Sequence, residues 1–193
     1  MSLEWHKKVA ARNTSAALNL FSQFDRLGVS YNRIVDIGAG IGTLIKSAES
    51  LGSKGIGFDV NRLTQPYARD VVGVDVRSEY WTPQTQCGDF DLMTCIMVLE
   101  HIEKPRPLLQ DMVSSCISRD ASLFISVPFL DKEKWHFIHE PDYRASGTPF
   151  FDNDMHVTHF SSKALESVLR EFGMTSIEWI RNGLWHGPLA RAR

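Results

Sequence analysis

The chain has 193 residues, 43% of them hydrophobic and 23% charged. This fits one soluble domain that buries a core unaided, so residues 1–193 are expected to form a single domain. Its 21 Lys and Arg against 23 Asp and Glu give a net charge of -2, which excludes a globally basic nucleic-acid binder, and no apolar run approaches the ~18 residues of a membrane span.

Residues 1–28 have helical spacing through Ala17, Leu20, Phe21, Phe24 and Leu27, with Gly28 as the stop. Residues 1–30 are thus expected as an N-terminal helical cap. Trp5 and Val9 belong either to the same helix or to a separate short one, with Thr14 or Ser15 capping the second. The N terminus has no continuous apolar core, so no signal peptide is expected. Residues 33–37 are a short β-branched run, 43–51 return to helical spacing, and 55–60 read as a second strand. A short helix over 63–69 precedes a third strand at 71–74. Residues 90–98 are a fourth strand, apolar enough to be buried on both faces, and 105–118 a helix. Residues 121–127 are a fifth strand. The pattern is then lost until Ser161 caps a helix to Phe172. A sixth strand covers 174–181, and 184–192 form a weakly patterned seventh. The end of the chain, 181–193, carries three arginines and no acid, and its composition reads as a solvated tail. Alternating strands and helices indicate an α/β domain with a parallel sheet. Cys87, Cys95 and Cys116 lack CxxC spacing, which speaks against a disulfide framework or zinc ribbon and for a reducing, cytoplasmic setting.

The sharpest signal is Asp36-x-Gly38-x-Gly40-x-Gly42 after the first strand. Glycines let the chain turn tightly and let a ligand approach the backbone, and the next helix presents unpaired N–H groups. A dinucleotide fingerprint would need Gly or Ala at position 43, where Thr43 stands. Asp36 would repel a pyrophosphate but suits a ligand carrying an ammonium group. Asp59, after the second strand, can accept both hydroxyls of a ribose. Asp75, read as ending the third strand, can accept from an adenine amino group.

With these residues the chain resembles the class I S-adenosylmethionine-dependent methyltransferases, in the type 11/type 23 branch that includes ubiquinone-biosynthesis O-methyltransferases. The resemblance rests on VDIGAGIG (35–42), GFDV (57–60), GVDV (73–76), FDLMTCIMVLEHI (90–102), SLFISVP (122–128) and HVTHFSSKALESVLREFGM (156–174). It implies a Rossmann-like, doubly wound, mostly parallel seven-stranded sheet with a terminal antiparallel hairpin, in three α/β/α layers. It implies S-adenosyl-L-methionine as cofactor, S-adenosylhomocysteine as product, and methyl transfer to an oxygen or nitrogen of a small-molecule acceptor. Gly38, Ala39, Gly40 and Gly42 would wrap the methionine part, Asp59 and Val60 hold the ribose, Asp75 and Val76 meet the adenine, and Ile96 or Met97 line the cleft.

Methyl transfer needs a general base only where the acceptor must lose a proton, and histidine suits that near neutral pH. His101 directly follows the fourth strand. In some quinone O-methyltransferases a Glu-x-x-Glu-His run at this place is associated with a metal. Met97 replaces the first acid here, so no metal is expected. The irregular segment 129–160 reads as a substrate lid, since long irregular stretches in a compact domain are usually functional or disordered. It holds His136, His139, His156 and His159, with Trp135 among its aromatics. His139 is a second catalytic candidate, and Trp135, His136, His156 and His159 are candidate substrate contacts. Pro141 and Pro149 break the helical continuity that would turn its HxxH pairs into metal ligands.

Nucleic acid is not an expected partner: no Asn/Asp-Pro-Pro-aromatic run follows the fourth strand, and no Pro-Cys occurs. Two other readings stay open. One is an NAD(P)-type oxidoreductase domain, opposed by Thr43 and Asp36. The other is a non-catalytic S-adenosylmethionine-binding partner subunit, opposed by the intact glycine loop and acids.

Overall fold

The computed structural model describes residues 2–130, 156–181 and 183–192. Its first element, α1 (Leu3–Arg26), is one continuous helix, capped by the Ser2 Oγ accepting from the Trp5 N–H at 3.3 Å. Trp5 and Val9 therefore belong to it. Thr14 and Ser15 do not cap; their hydroxyls donate back to the Ala10 and Ala11 carbonyls at 3.0 and 3.2 Å, as these side chains do inside helices. Ala17, Leu20, Phe21 and Phe24 form its buried face.

The chain continues as β1 (Arg33–Ile37), α2 (Thr43–Ser50), β2 (Lys54–Phe58), α3 (Thr64–Tyr67), β3 (Val76–Arg77) and β4 (Leu92–Ile96). It goes on through α4 (Pro105–Ile117), β5 (Ser122–Ser126), α5 (Ser162–Glu171), β6 (Ser176–Arg181) and β7 (His186–Arg191). Among the described residues the strands form one seven-stranded sheet in the order β3-β2-β1-β4-β5-β7-β6. β1 to β5 pair in parallel, whereas β7 runs antiparallel to both β5 and β6. This is the expected doubly wound sheet with its reversed hairpin.

Strand alternation sorts the core into two layers. Ile34, Leu92, Phe124 and Leu189 pack with α1 and α2 on one face. Val35, Met93, Leu123 and Ala190 pack with α4 and α5 on the other. β4 and β5 are sealed on both sides, which explains their unbroken apolar runs. Each large side chain closed off in this way contributes roughly 1.5–3 kcal/mol.

Two expectations are corrected. The third strand lies at Val76–Arg77, not at 71–74. Ala68–Val72 coil as a π-turn whose Ala68 carbonyl accepts from the Gly73 and Val74 N–H groups at 2.8 and 3.0 Å, so the valines there are not free to extend. The arginine-bearing end is no solvated tail: β7 lies inside the sheet, and Arg191 pairs with Glu178 of β6.

The sheet order reverses between β1 and β4, so their C-terminal ends open a crevice, where ligands of such sheets bind. Both ends of the 129–160 segment are tied nearby. Phe129 bridges to Phe160, and the Val157 and Thr158 N–H groups donate to the Glu100 carbonyl at 2.8 and 3.1 Å.

β7 approaches β5 so closely that a Cβ on Gly187 would run into the Ile125 carbonyl, which is backbone and cannot swing away. Gly187→Ala is therefore expected to cost at least the ~1–3 kcal/mol of overpacking, read as a lower urea midpoint. An unchanged midpoint would contradict the packing described.

Candidate active site

The loop after β1 is held by the end of β2. The Gly38 and Ala39 N–H groups both donate to the Phe58 carbonyl, at 2.7 and 3.1 Å. The Gly40 N–H donates to Asp59 Oδ2 at 2.7 Å, and the Asn61 N–H to Asp59 Oδ1 at 2.8 Å. Gly38 and Gly42 sit at φ +76° and +79°. A side chain at Gly38 would strike Val98, and one at Gly42 would strike Val74. Glycine is thus required both for the turn and for the closeness of its neighbours.

A cavity of about 310 Å³ opens above this loop. Of the residues singled out in the sequence, Gly38, Asp59, Val60, Met97 and His101 line it, together with His6, Asn61, Glu79, Tyr80 and Trp81. Met97 adopts φ +56°, a left-handed conformation that costs energy in a residue with a side chain and that clusters at functional sites.

Other expected residues lie elsewhere. Asp36 is beneath the floor, 4% exposed, with Thr94 Oγ1 donating to its Oδ1 at 2.6 Å. Burial raises its carboxyl to about 7, helped by repulsion from Asp59 and opposed by the Thr94 hydrogen bond. It does not line the cavity. Ala39, Gly40 and Gly42 shape the loop from outside the cavity lining; Ile96 packs against the core on the α1 side. Asp75 and Val76 line a second, open recess with Arg69 and Gly73. β3 begins later than its valines suggested, and the residues after that strand, Glu79, Tyr80 and Trp81, line the first cavity. Trp135, His136 and His139 lie outside the described residues.

Beyond Met97 the short turn Leu99–His101 brings a second cluster together. His101 lines the cavity, and its ring centroid is 5.0 Å from that of His156. Glu100 Oε1 lies 3.9 Å from His101 Nε2. Ligand atoms of Glu100, His101 and His156 fall within 4.8 Å of one another, close enough to share a metal ion. His159 is exposed and lies outside this cluster. Glu100 is 1% exposed, and its two carboxylate oxygens have no hydrogen-bond partner among the described residues. Burial lifts its carboxyl to about 7.

The profile of the family described as methyltransferase domain, type 23, matches residues 5–178, and the chain belongs to that family, whose methyl donor is S-adenosylmethionine. Human N-acetylserotonin methyltransferase, solved with S-adenosylmethionine, superposes with a TM-score of 0.70 at 20% identity, over 98% of this chain and 54% of its own. The chain thus spans about half the length of that enzyme. Magnesium protoporphyrin IX methyltransferase from Synechocystis PCC 6803, with bound S-adenosylhomocysteine, gives 0.65 at 15% identity over 93% and 83%. A SAM-dependent methyltransferase from Archaeoglobus fulgidus gives 0.61 at 18% identity over 92% and 72%. At these identities the likeness is one of fold. No curated protein matches the chain significantly in sequence.

The residues present fit the cofactor. The glycine cradle leaves backbone open, and each Asp59 oxygen keeps acceptor capacity beyond its one backbone N–H. Trp81 lines the cavity with its Nε1–H unpaired among the described residues, a donor that a purine nitrogen would satisfy.

The Glu100 carboxyl is raised from 4.5 to about 7, so between those values the folded protein holds a proton that the unfolded chain has lost. Its contribution to stability is complete below pH 4.5 and is lost as pH rises to 7, roughly 3 kcal/mol in all. Glu100→Gln is expected to raise the thermal midpoint at pH 8 and to leave it nearly unchanged at pH 4. Coincident pH profiles for the two proteins would contradict the burial of this acid.

Proposed function

We propose that the chain transfers a methyl group from S-adenosylmethionine to an oxygen or nitrogen of a small-molecule acceptor, with His101 receiving the acceptor's proton. One observation carries this reading: a single cavity runs from Gly38 and Asp59, at the cofactor end, to His101. When bound, the cofactor supplies a methyl group already activated by its sulfonium, so the protein's share is positioning and proton transfer.

In this reading Asp59 accepts from the ribose hydroxyls while two backbone N–H groups fix its carboxylate. The glycine loop supplies a surface on which the methionine part can lie against backbone. Met97, in its left-handed conformation, turns the chain at the end of β4 and so delivers the Leu99–His101 turn to the cavity wall. His101 takes the acceptor proton at its imidazole. Glu100, buried beside it, offers a carboxylate for the imidazolium so formed, and His156 packs against the same ring.

α1 serves as a cap and 129–160 as an acceptor lid of one domain spanning 1–193. Val157 and Thr158, near the end of that segment, bond to the Glu100 carbonyl next to the proposed base, and Phe129 at its start bridges to Phe160, which supports this. Trp135, His136, His156 and His159 are proposed as acceptor contacts of that lid, with His139 as a second catalytic candidate. The named acceptors of the structural neighbours, N-acetylserotonin and magnesium protoporphyrin IX, differ greatly in size. The fold therefore does not choose the acceptor, and the lid is where that choice is made.

S-adenosylhomocysteine is expected to raise the melting temperature in a concentration-dependent way, and Asp59→Ala to remove most of that shift. No shift at millimolar ligand in the wild type would sink the reading. His101→Gln is expected to slow transfer by ~10²–10⁴-fold with S-adenosylhomocysteine binding retained. Treatment with a chelator is expected to leave the rate unchanged. Loss restored by a divalent cation would instead assign Glu100, His101 and His156 to a cation.

A further inference from the structure

The first turns of α1 reach past the core and end on the cofactor loop. The ring of His6 occupies the space that a side chain on Gly40 would need, with Nδ1 only 2.8 Å from that Cβ position. His6 also lines the same cavity as Asp59. Its neighbours hold it there. Trp5 meets the imidazole edge-on, with centroids 5.3 Å apart. Lys7 lies over the Tyr67 ring of α3 at 5.0 Å and pairs with Glu4 at 2.7 Å, which fixes the helix start on both sides. The turn is further ordered by the Ser2 cap.

We infer that His6 is a specificity residue of the cofactor site, hydrogen-bonding the ribose hydroxyls together with Asp59. This rests on the cofactor placement proposed above. Asp59 can only accept, and its two oxygens each already take one backbone N–H. A ribose diol has oxygens as well as hydrogens to satisfy, and a cavity wall made of Asp59 alone would leave those oxygens without a donor. A neutral imidazole offers one donor and one acceptor. Burial holds the His6 imidazole below its ordinary range even though Asp59 pulls the other way, so the neutral form prevails at pH 7. The absence of a side chain at Gly40 then has two uses: its N–H reaches Asp59, and its open face admits His6.

The test is calorimetric titration of wild type, His6→Ala and His6→Phe with S-adenosylhomocysteine and with its 2′-deoxy and 3′-deoxy ribosyl analogues. His6→Phe keeps the ring against Gly40 and Trp5 while removing both nitrogens. Wild type is expected to prefer the full ribose over at least one deoxy analogue by about 10-fold, the value of one good hydrogen bond. Both variants are expected to bind S-adenosylhomocysteine about 10-fold more weakly and to show a clearly smaller preference, the remainder being held by Asp59. Equal weakening toward all three ligands would overturn the ribose contact, since a purely structural role of the helix start would act that way. Unchanged affinity in both variants would overturn it as well. Binding that is lost in Asp59→Ala but untouched in the His6 variants would leave the proposed function standing and this inference refuted. Failure of wild type to bind would refute both.

Discussion

The C-terminal edge of the sheet is organised around one carboxylate. Asp59 draws the Gly40 and Asn61 N–H groups onto its two oxygens, and the Phe58 carbonyl just before it takes those of Gly38 and Ala39. The loop after β1 is thus folded by acceptors at the end of β2. That coil is open only to residues that tolerate positive φ and carry no Cβ where Val98 and Val74 close in. The helix α2 begins where the coil ends. The floor of the cavity and the α2 N-terminus thus depend on the same few hydrogen bonds.

Around this cradle sit two acids that the fold holds at a cost. Asp36 lies under the loop with Thr94 as its partner, and the Glu100 carboxyl lies near His101 with no hydrogen-bond partner among the described residues. Burial lifts both to about 7, so ionising either one works against folding. Asp36 is partly compensated by a hydrogen bond across the β1–β4 pair and acts as a structural link between the strands that flank the crevice. Glu100 is not compensated in this way. A carboxyl poised near neutrality beside a cavity histidine gains a use when a proton has to be accepted there, and proteins tolerate such local destabilisation where chemistry requires it.

The fold was legible because periodicity reports burial. The runs at 33–37, 90–98 and 121–127 are apolar because β1, β4 and β5 are covered on both faces, and the helices that cover them repeat at helical spacing. The glycines and Asp59 were legible because few residue types fit a coil of that shape. Errors arose where local composition and hydrogen bonding disagree. Val71 and Val72 look like strand residues, yet the Ala68 carbonyl captures the following N–H groups and keeps them coiled. That displaced β3 in the sequence reading, and the cavity beside Asp59 is lined by Glu79, Tyr80 and Trp81, whereas Asp75 and Val76 line the second recess. His6 carried no signal, because a histidine near the start of an amphipathic helix looks the same whether it faces water or a cavity. Glu100 stood in the LEHI run, but only the structure shows its side chain buried.

These differences follow the division of labour in the site. The parts that would bind the donor are strand ends and a glycine coil, whose geometry the backbone dictates and whose residues leave a strict pattern. The parts that would meet the acceptor are a short turn after β4 and a segment tied down at its ends. Elements like these answer to the shape of a ligand more than to the packing of a core, so their sequence follows no period. The start of α1 belongs to neither group: its periodic face is committed to the sheet, while His6 reaches the cradle from the top of the helix. A helix anchored by Leu20, Phe21 and Phe24 at one end can hold an imidazole over Gly40 at the other without a loop having to order on binding. Cofactor contacts made this way cost little conformational entropy when the ligand arrives, which is the physical reason to place a ribose-reading residue on α1 and leave the longer irregular segment to the acceptor.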